Sequence, residues 1–187
     1  MARDRFDASA VPNVHPVRRI MPFIMPTKNG AFVLFEREIA TAPLVTFLAG
    51  VNRDRPADRP ITMFHCVLRA IGIALAEFPR LNRYVSGSRL YARRGVWLAF
   101  SAKQRLERDA PMFSSKVEFR PGEPLPAMVD RLLAVLREGK SGRETAADRE
   151  AKGFLRLPGP LLRLAVRAQR VIDGWNLLPP SLTRDDP

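Results

Sequence analysis

The chain is poor in the residues that build metal and redox centres. Cys66 is its only cysteine, so no disulfide can close within it, which fits a reducing, cytoplasmic compartment. Only two histidines occur, His15 and His65. With no cysteine pair beside them they match no zinc spacing, and no metal site is expected. Neither GxxxxGK[ST] nor GxGxxG occurs, and there is no GxSxG nucleophile elbow. Paired carboxylates stand only at Asp185-Asp186 and in the segment 144–150, where a solvated charged surface is the expected role. Long apolar runs are missing too. The nearest, Ile61–Phe78, is interrupted by Arg69 and Glu77 and is too short and too charged to span a bilayer. The opening MARDRFDASAVPNV has no apolar core and no cleavage site, so no signal peptide is expected.

What the chain has is arginine. Its 187 residues carry a net charge of +12, and only five of the 31 basic side chains are lysine. Residues 61–120 hold 11 basic and 4 acidic side chains, most of the excess, and no long run of like charge marks a basic tail. Such a field suits anionic partners: phosphate esters, nucleic acid, acidic proteins or lipid headgroups. Arg89, Tyr91, Arg93, Arg94 and Trp97 interleave basic and aromatic residues as a nucleic-acid platform does. Ordinary hairpin packing accounts for the same residues, and no recognised nucleic-acid motif accompanies them.

The length suits one well-cored domain over residues 17–187, preceded by a loose, flexible arm over 1–16. Pro22 and Pro26 break the segment that starts at Arg18, so no long helix is expected there. Lys28-Asn29-Gly30 is a turn signal, and Ala31–Ile39 (AFVLFEREI) reads as a strand. Thr41 is placed to cap a helix over 42–52, and Arg53–Pro60 reads as a polar loop. Thr62 caps a helix over 63–78 that is apolar nearly all round, as a helix sandwiched inside a domain would be. On it His65 and Cys66 read as core residues, and Gly72 allows close packing. Tyr84-Val85 and Leu90-Tyr91 flank a hairpin turn at Ser86-Gly87-Ser88. Strands are expected over 95–102 and 112–119, then an amphipathic helix over 126–138. The charged segment 140–152 reads as a loop or exposed helix. A second amphipathic helix over 160–173 begins at Pro160 and is capped by Gly174. Its apolar side is expected to pack on the same domain, with a membrane-surface role as the alternative. The whole is α/β or α+β.

The order of these segments resembles a known family. Arg18 or Arg19 in VRRI, the strand AFVLFEREI running into a helix, the alanine-rich helix, the Pro79-Arg80-Leu81-Asn82 turn and GVWLAFSAK at 95–103 form a series. It is similar to the N-terminal portion of the catalytic domain of 2-oxo acid dehydrogenase acyltransferases, over about residues 17–120. The resemblance implies a chloramphenicol acetyltransferase-like fold, a mixed sheet with packed helices, and a homotrimer with its site between subunits. It implies acyl transfer between coenzyme A and a dihydrolipoyl acceptor, with a lipoyl domain as a further partner. No permanently bound cofactor is implied; a coenzyme A thioester would be a substrate. In that family the histidine of a His-x-x-x-Asp-Gly motif is the general base, and a Ser or Thr hydroxyl stabilises the oxyanion.

This chain departs from that pattern where the chemistry lies. Gln169-Arg170-Val171-Ile172-Asp173-Gly174 carries glutamine where the base belongs. The helical PLLRLAVRA before it stands where the family has a strand, so a helix C-terminus accounts for the same residues. No catalytic residue is therefore assigned, and no cofactor-binding residue is singled out. The expectation is an acyltransferase-like chain, incomplete at its C-terminal catalytic part and inactive alone. The alternatives are a non-catalytic oligomerisation or binding module on the same fold, and a basic nucleic-acid-binding protein. No membrane partner is expected.

Overall fold

A computed structural model describes residues 4–27, 29–105, 107–108, 110, 112–140 and 158–177. The expectations for 141–152 and for the residues after 177 fall outside that set. The described residues divide into two compact units, each discontinuous in sequence.

The first unit draws its described residues from Met1–Val33, Pro79–Arg94 and Glu144–Asp186. It holds a three-stranded antiparallel sheet in the order β1 (Ala8–Ala10), β3 (Arg89–Arg93), β2 (Arg83–Ser86). The hairpin register is Arg83 opposite Ala92 through Ser86 opposite Arg89. Gly87 and Ser88 form its two-residue turn, with φ of 53° and 60°. Positive φ at both turn residues gives the twist that matches the flanking strands. The expected loose arm instead supplies β1, which pairs Ala8 with Arg93 and Ala10 with Tyr91. A short helix, α1 (Pro16–Ile24), contains Pro22 and ends at Met25, just before Pro26. Pro22 therefore does not break it.

What ties this unit together is Arg5, a nearly buried arginine. Its guanidinium donates to Ser86 Oγ at 3.0 Å, to the Asp173 carbonyl at 3.0 Å and to Asp173 Oδ1. Ser86 Oγ in turn donates to Asp173 Oδ2 at 3.0 Å. Asp173 lies near the end of the amphipathic helix, α5 (Gly159–Gly174; α2 to α4 belong to the second unit). Beside this network Tyr84 stacks on the buried Tyr91, with centroids 5.7 Å apart, and donates to Asp7 at 2.9 Å. Burial, then the bond to Asp7, push the Tyr84 phenol up to about 12.

Gly174 is not the cap of α5. The helix closes through Trp175, and Asn176 takes the left-handed conformation at φ 59°. Asn176 N–H donates to the Asp173 carbonyl and Leu177 N–H to that of Ile172, a Schellman closure with asparagine in place of glycine. Gly174 is small for another reason. The backbone of Gly87 lies against it, and a Cβ at Gly87 would sit 2.2 Å from the Gly174 carbonyl oxygen.

The second unit draws its described residues from Leu34–Phe78 and Gly95–Arg143. Its helices are α2 (Ala42–Val51), α3 (Met63–Glu77) and α4 (Leu125–Lys140), and its sheet is the antiparallel pair β4 (Val96–Lys103) and β5 (Met112–Phe119). The pairing runs from Val96 opposite Phe119 to Lys103 opposite Met112. Alternation then places Val96, Leu98, Phe100, Val117 and Phe119 on one face. That face packs with Leu68 and Leu75 of α3 and with Met128, Leu132 and Val135 of α4. Each fully buried side chain of this kind is worth about 1.5–3 kcal/mol. Gly72 admits the Phe119 ring; a Cβ there would lie 2.3 Å from it.

Four sequence expectations fail in this unit or at its edge. Residues 32–40 form no strand, and Val33 and Phe35 are more than 80% exposed. A strand needs a partner row of backbone groups, and none of the described strands lies alongside, so high β-propensity decides nothing. Thr41 makes no side-chain cap to α2. α3 is not sandwiched: His65, Leu68 and Gly72 are buried, while Phe64, Val67 and Ile71 remain nearly half exposed. All described pairings in both units are antiparallel, so no mixed sheet forms among the described residues. The β2–β3 and β4–β5 connections are too short for the crossover that parallel pairing requires. The fold class that remains is α+β.

Thr62 does open α3, in a capping box whose return partner is histidine. His65 Nδ1 accepts from the Thr62 N–H at 3.0 Å, which leaves its proton on Nε2. Burial, then the nearby Arg55 charge, lower the His65 pKa. Between the ordinary value of 6.5 and the lowered one, the unfolded chain binds the additional proton. His65 thus contributes fully above pH 6.5, and that contribution is lost as the pH falls through this window. Urea midpoints measured from pH 7.5 down to 5 should decline. The His65→Gln variant, which keeps an acceptor without titrating, should show a flatter profile over the same range.

The Arg5 network yields a second expectation. Arg5→Ala leaves the Asp173 carboxylate and Ser86 without their cation, at a cost of about 2–3 kcal/mol. This lies below the ~3–5 kcal/mol of a fully buried pair because Asp173 is 32% exposed. Asp173→Asn, which retains acceptor and shape, should cost less. Native-state hydrogen exchange of the α5 amides, which reads local opening of this unit, measures both.

Candidate functional site: an arginine cleft

Within the first unit, the chain between β1 and α1 bends over the sheet and encloses a cleft of about 290 Å³. Val11 extends the strand by donating its N–H to the Leu90 carbonyl at 3.1 Å. Asn13 then turns the backbone at φ 51°, and His15 is extended, as a residue before proline prefers. Pro16 starts α1, which presents Arg18. From the other side come Arg80, in the 3-10 turn Pro79–Asn82, and Arg83, the first residue of β2. Val11, Val14 and Leu90 supply apolar wall.

The polar lining is thus Arg18, Arg80, Arg83 and His15, with no acidic side chain among them. None of the three arginines is paired with a carboxylate among the described residues. Several arginines elsewhere are matched: Arg55 with Asp130 at 2.6 Å, Arg94 with Asp4 at 3.2 Å and Arg131 with Glu123 at 2.6 Å. The Arg131 bonds, opposed by burial, hold the Glu123 carboxyl below its ordinary range. Among the described residues, Arg83 Nε is buried without a hydrogen-bond partner, as is Arg5 Nε. Three guanidinium groups facing one concavity repel one another until an anion enters, and each offers a planar fork matched to phosphate or carboxylate.

The structure distributes the residues singled out in sequence as follows. Arg18, from the family-like opening, and Arg80, from the Pro-x-Leu-Asn turn, come together in the cleft. Arg19 does not line it. Gln169 is exposed on α5, Asp173 is held by Arg5 and Gly174 by Gly87, so those residues serve the scaffold. His65 is occupied as a cap, and burial raises the Cys66 thiol. The basic-aromatic series is also used internally. Tyr91 is buried, Arg93 lies over Tyr84 at 4.9 Å, and Lys116 lies over Trp97 at 5.9 Å. His15 and Arg83 were missed in the sequence. Local charge density hinted at Arg83, whereas His15 reaches the cleft only because β1 pairs with β3.

No protein-family model, curated protein or solved structure matches the chain.

Proposed function

We propose that this chain is an acyltransferase-like protein that binds a phosphate-bearing ligand in the arginine cleft and does not turn it over alone. A coenzyme A thioester is the ligand that the family resemblance suggests. One observation carries the reading: Arg18, Arg80 and Arg83, from three separate elements, converge on one cleft with no carboxylate among the described residues to neutralise them. Charge-assisted bonds from such forks are about twice as strong as neutral ones. The missing chemistry follows from the side chains available. Position 169 holds glutamine, which takes up no proton, and His15 is an exposed residue with no described partner to orient it. A histidine base needs both a reachable proton and an orienting group.

Calorimetric titration of coenzyme A at low salt should show binding that weakens with added salt. Arg83→Ala and Arg80→Ala should each lower the affinity about tenfold, the loss of one charged hydrogen-bonding partner. Acetyl coenzyme A with dihydrolipoamide should give no turnover. Absence of binding would overturn the ligand reading; robust turnover by the purified chain would overturn the inactive one.

A second reading, a homo-oligomerisation module that is trimeric by resemblance, is favoured by the second unit. Phe64, Val67 and Ile71 follow a three-four spacing on the outer side of α3, and Phe78 stands at its C-cap, all between 44% and 59% exposed. Apolar stripes of this kind mark interfaces. Sedimentation equilibrium should show a concentration-dependent oligomer that Ile71→Glu reduces to monomer. A monomeric parent chain would exclude this reading.

A further inference from the structure

The amphipathic helix α5 was expected to bury its apolar side within the domain, and it does not. Leu161 and Val171 are more than half exposed, Leu164 is 64% exposed and Trp175 is 74% exposed, with Ile172 beside them. Their spacing of three and four residues puts them on one side of the helix. Arg163 and Arg167 are exposed on its flank. The charge of the helix is decided by the tertiary fold. Its only acidic residue is Asp173, which Arg5 takes out of play through Ser86 and a direct ion pair. What solvent meets is an apolar stripe with Arg163 and Arg167 along one flank, an indole at the end and no unpaired carboxylate on the helix.

From this we infer that α5 is a docking surface for an anionic lipid bilayer. The helix lies in the plane of the interface, with Leu161, Leu164, Val171 and Ile172 inserted among the acyl chains. Arg163 and Arg167 meet headgroup phosphates, and Trp175 sits at the headgroup level. Lying on a membrane does not require spanning one, and no helix among the described residues is long and apolar enough to cross. The occupant follows from charge complementarity. A protein partner for the stripe need carry no particular charge, whereas flanking arginines that face no carboxylate among the described residues match a surface of phosphates. The proposal rests on a different element from the ligand cleft and stands or falls separately.

Vesicle co-sedimentation tests it, using the full chain with vesicles of phosphatidylcholine alone and of phosphatidylcholine with about one-quarter phosphatidylglycerol. Partition onto the anionic vesicles at low salt is expected, with little onto neutral ones. Leu164→Glu with Ile172→Glu, and separately Arg163→Glu with Arg167→Glu, should each weaken partition by at least about tenfold. These side chains are exposed, so the far-ultraviolet circular dichroism should stay unchanged. In a Trp97→Phe background, Trp175 emission should shift to the blue on adding anionic vesicles. Failure to sediment with either vesicle overturns the proposal, as does equal binding to neutral ones. So does a lipid-free oligomer that the Leu164 and Ile172 variants dissolve, since a second copy would then be what covers the stripe.

Discussion

The first unit depends on a partly buried ion pair. Arg5 comes from the N-terminal segment, Ser86 from the end of β2 and Asp173 from the last turn of α5. Three stretches of chain, up to 168 residues apart, are brought to one guanidinium. Burying a charge is costly unless its partner and hydrogen bonds are in place, so the geometry tolerates little displacement. The close approach of Gly87 to Gly174 fits the same requirement: hairpin and helix meet at backbone distance because neither carries a side chain there.

The cleft inherits its shape from this arrangement. Once β1 is held against β3, the chain after Val11 has to leave the sheet, turn at Asn13 and enter α1 at Pro16. That path carries His15 and Arg18 to the side where Arg80 and Arg83 already stand. The same unit thus holds a charge-compensated network at Arg5 and an uncompensated cationic cleft. The contrast matters for function, because a matched arginine stabilises the fold while an unmatched one is available to a ligand.

The second unit works by burial of apolar area. One face of a two-stranded ribbon is covered by α3 and α4, and Gly72 and Gly139 make room for phenylalanine rings from β5. A two-stranded ribbon is marginal alone, and its packing against helices is what stabilises it. The same unit leaves the outer stripe of α3 and residues 34–39 in water, which is why an oligomer is a natural reading for it.

Much of the local structure was legible in the chain. Periodicity and the proline and glycine signals located α2, α3, α4, α5, the β2–β3 hairpin and the β4–β5 pair to within a few residues, because those signals act over short range. Thr62 and the polar loop 53–60 were legible for the same reason. The amino-acid sequence by itself also determined the arginine excess, the single cysteine and the absence of a histidine at 169. It did not determine partners. AFVLFEREI has every property of a strand and forms none, since pairing is decided by what lies alongside. Gly174 looks like a cap and is a contact, while Asn176 does the capping. Asp173 looks like part of a catalytic motif and is the counter-ion of a residue in the first turn of the chain. Only the tertiary structure decided which arginines are neutralised and which are free, because charge compensation depends on distances between residues that are far apart in sequence.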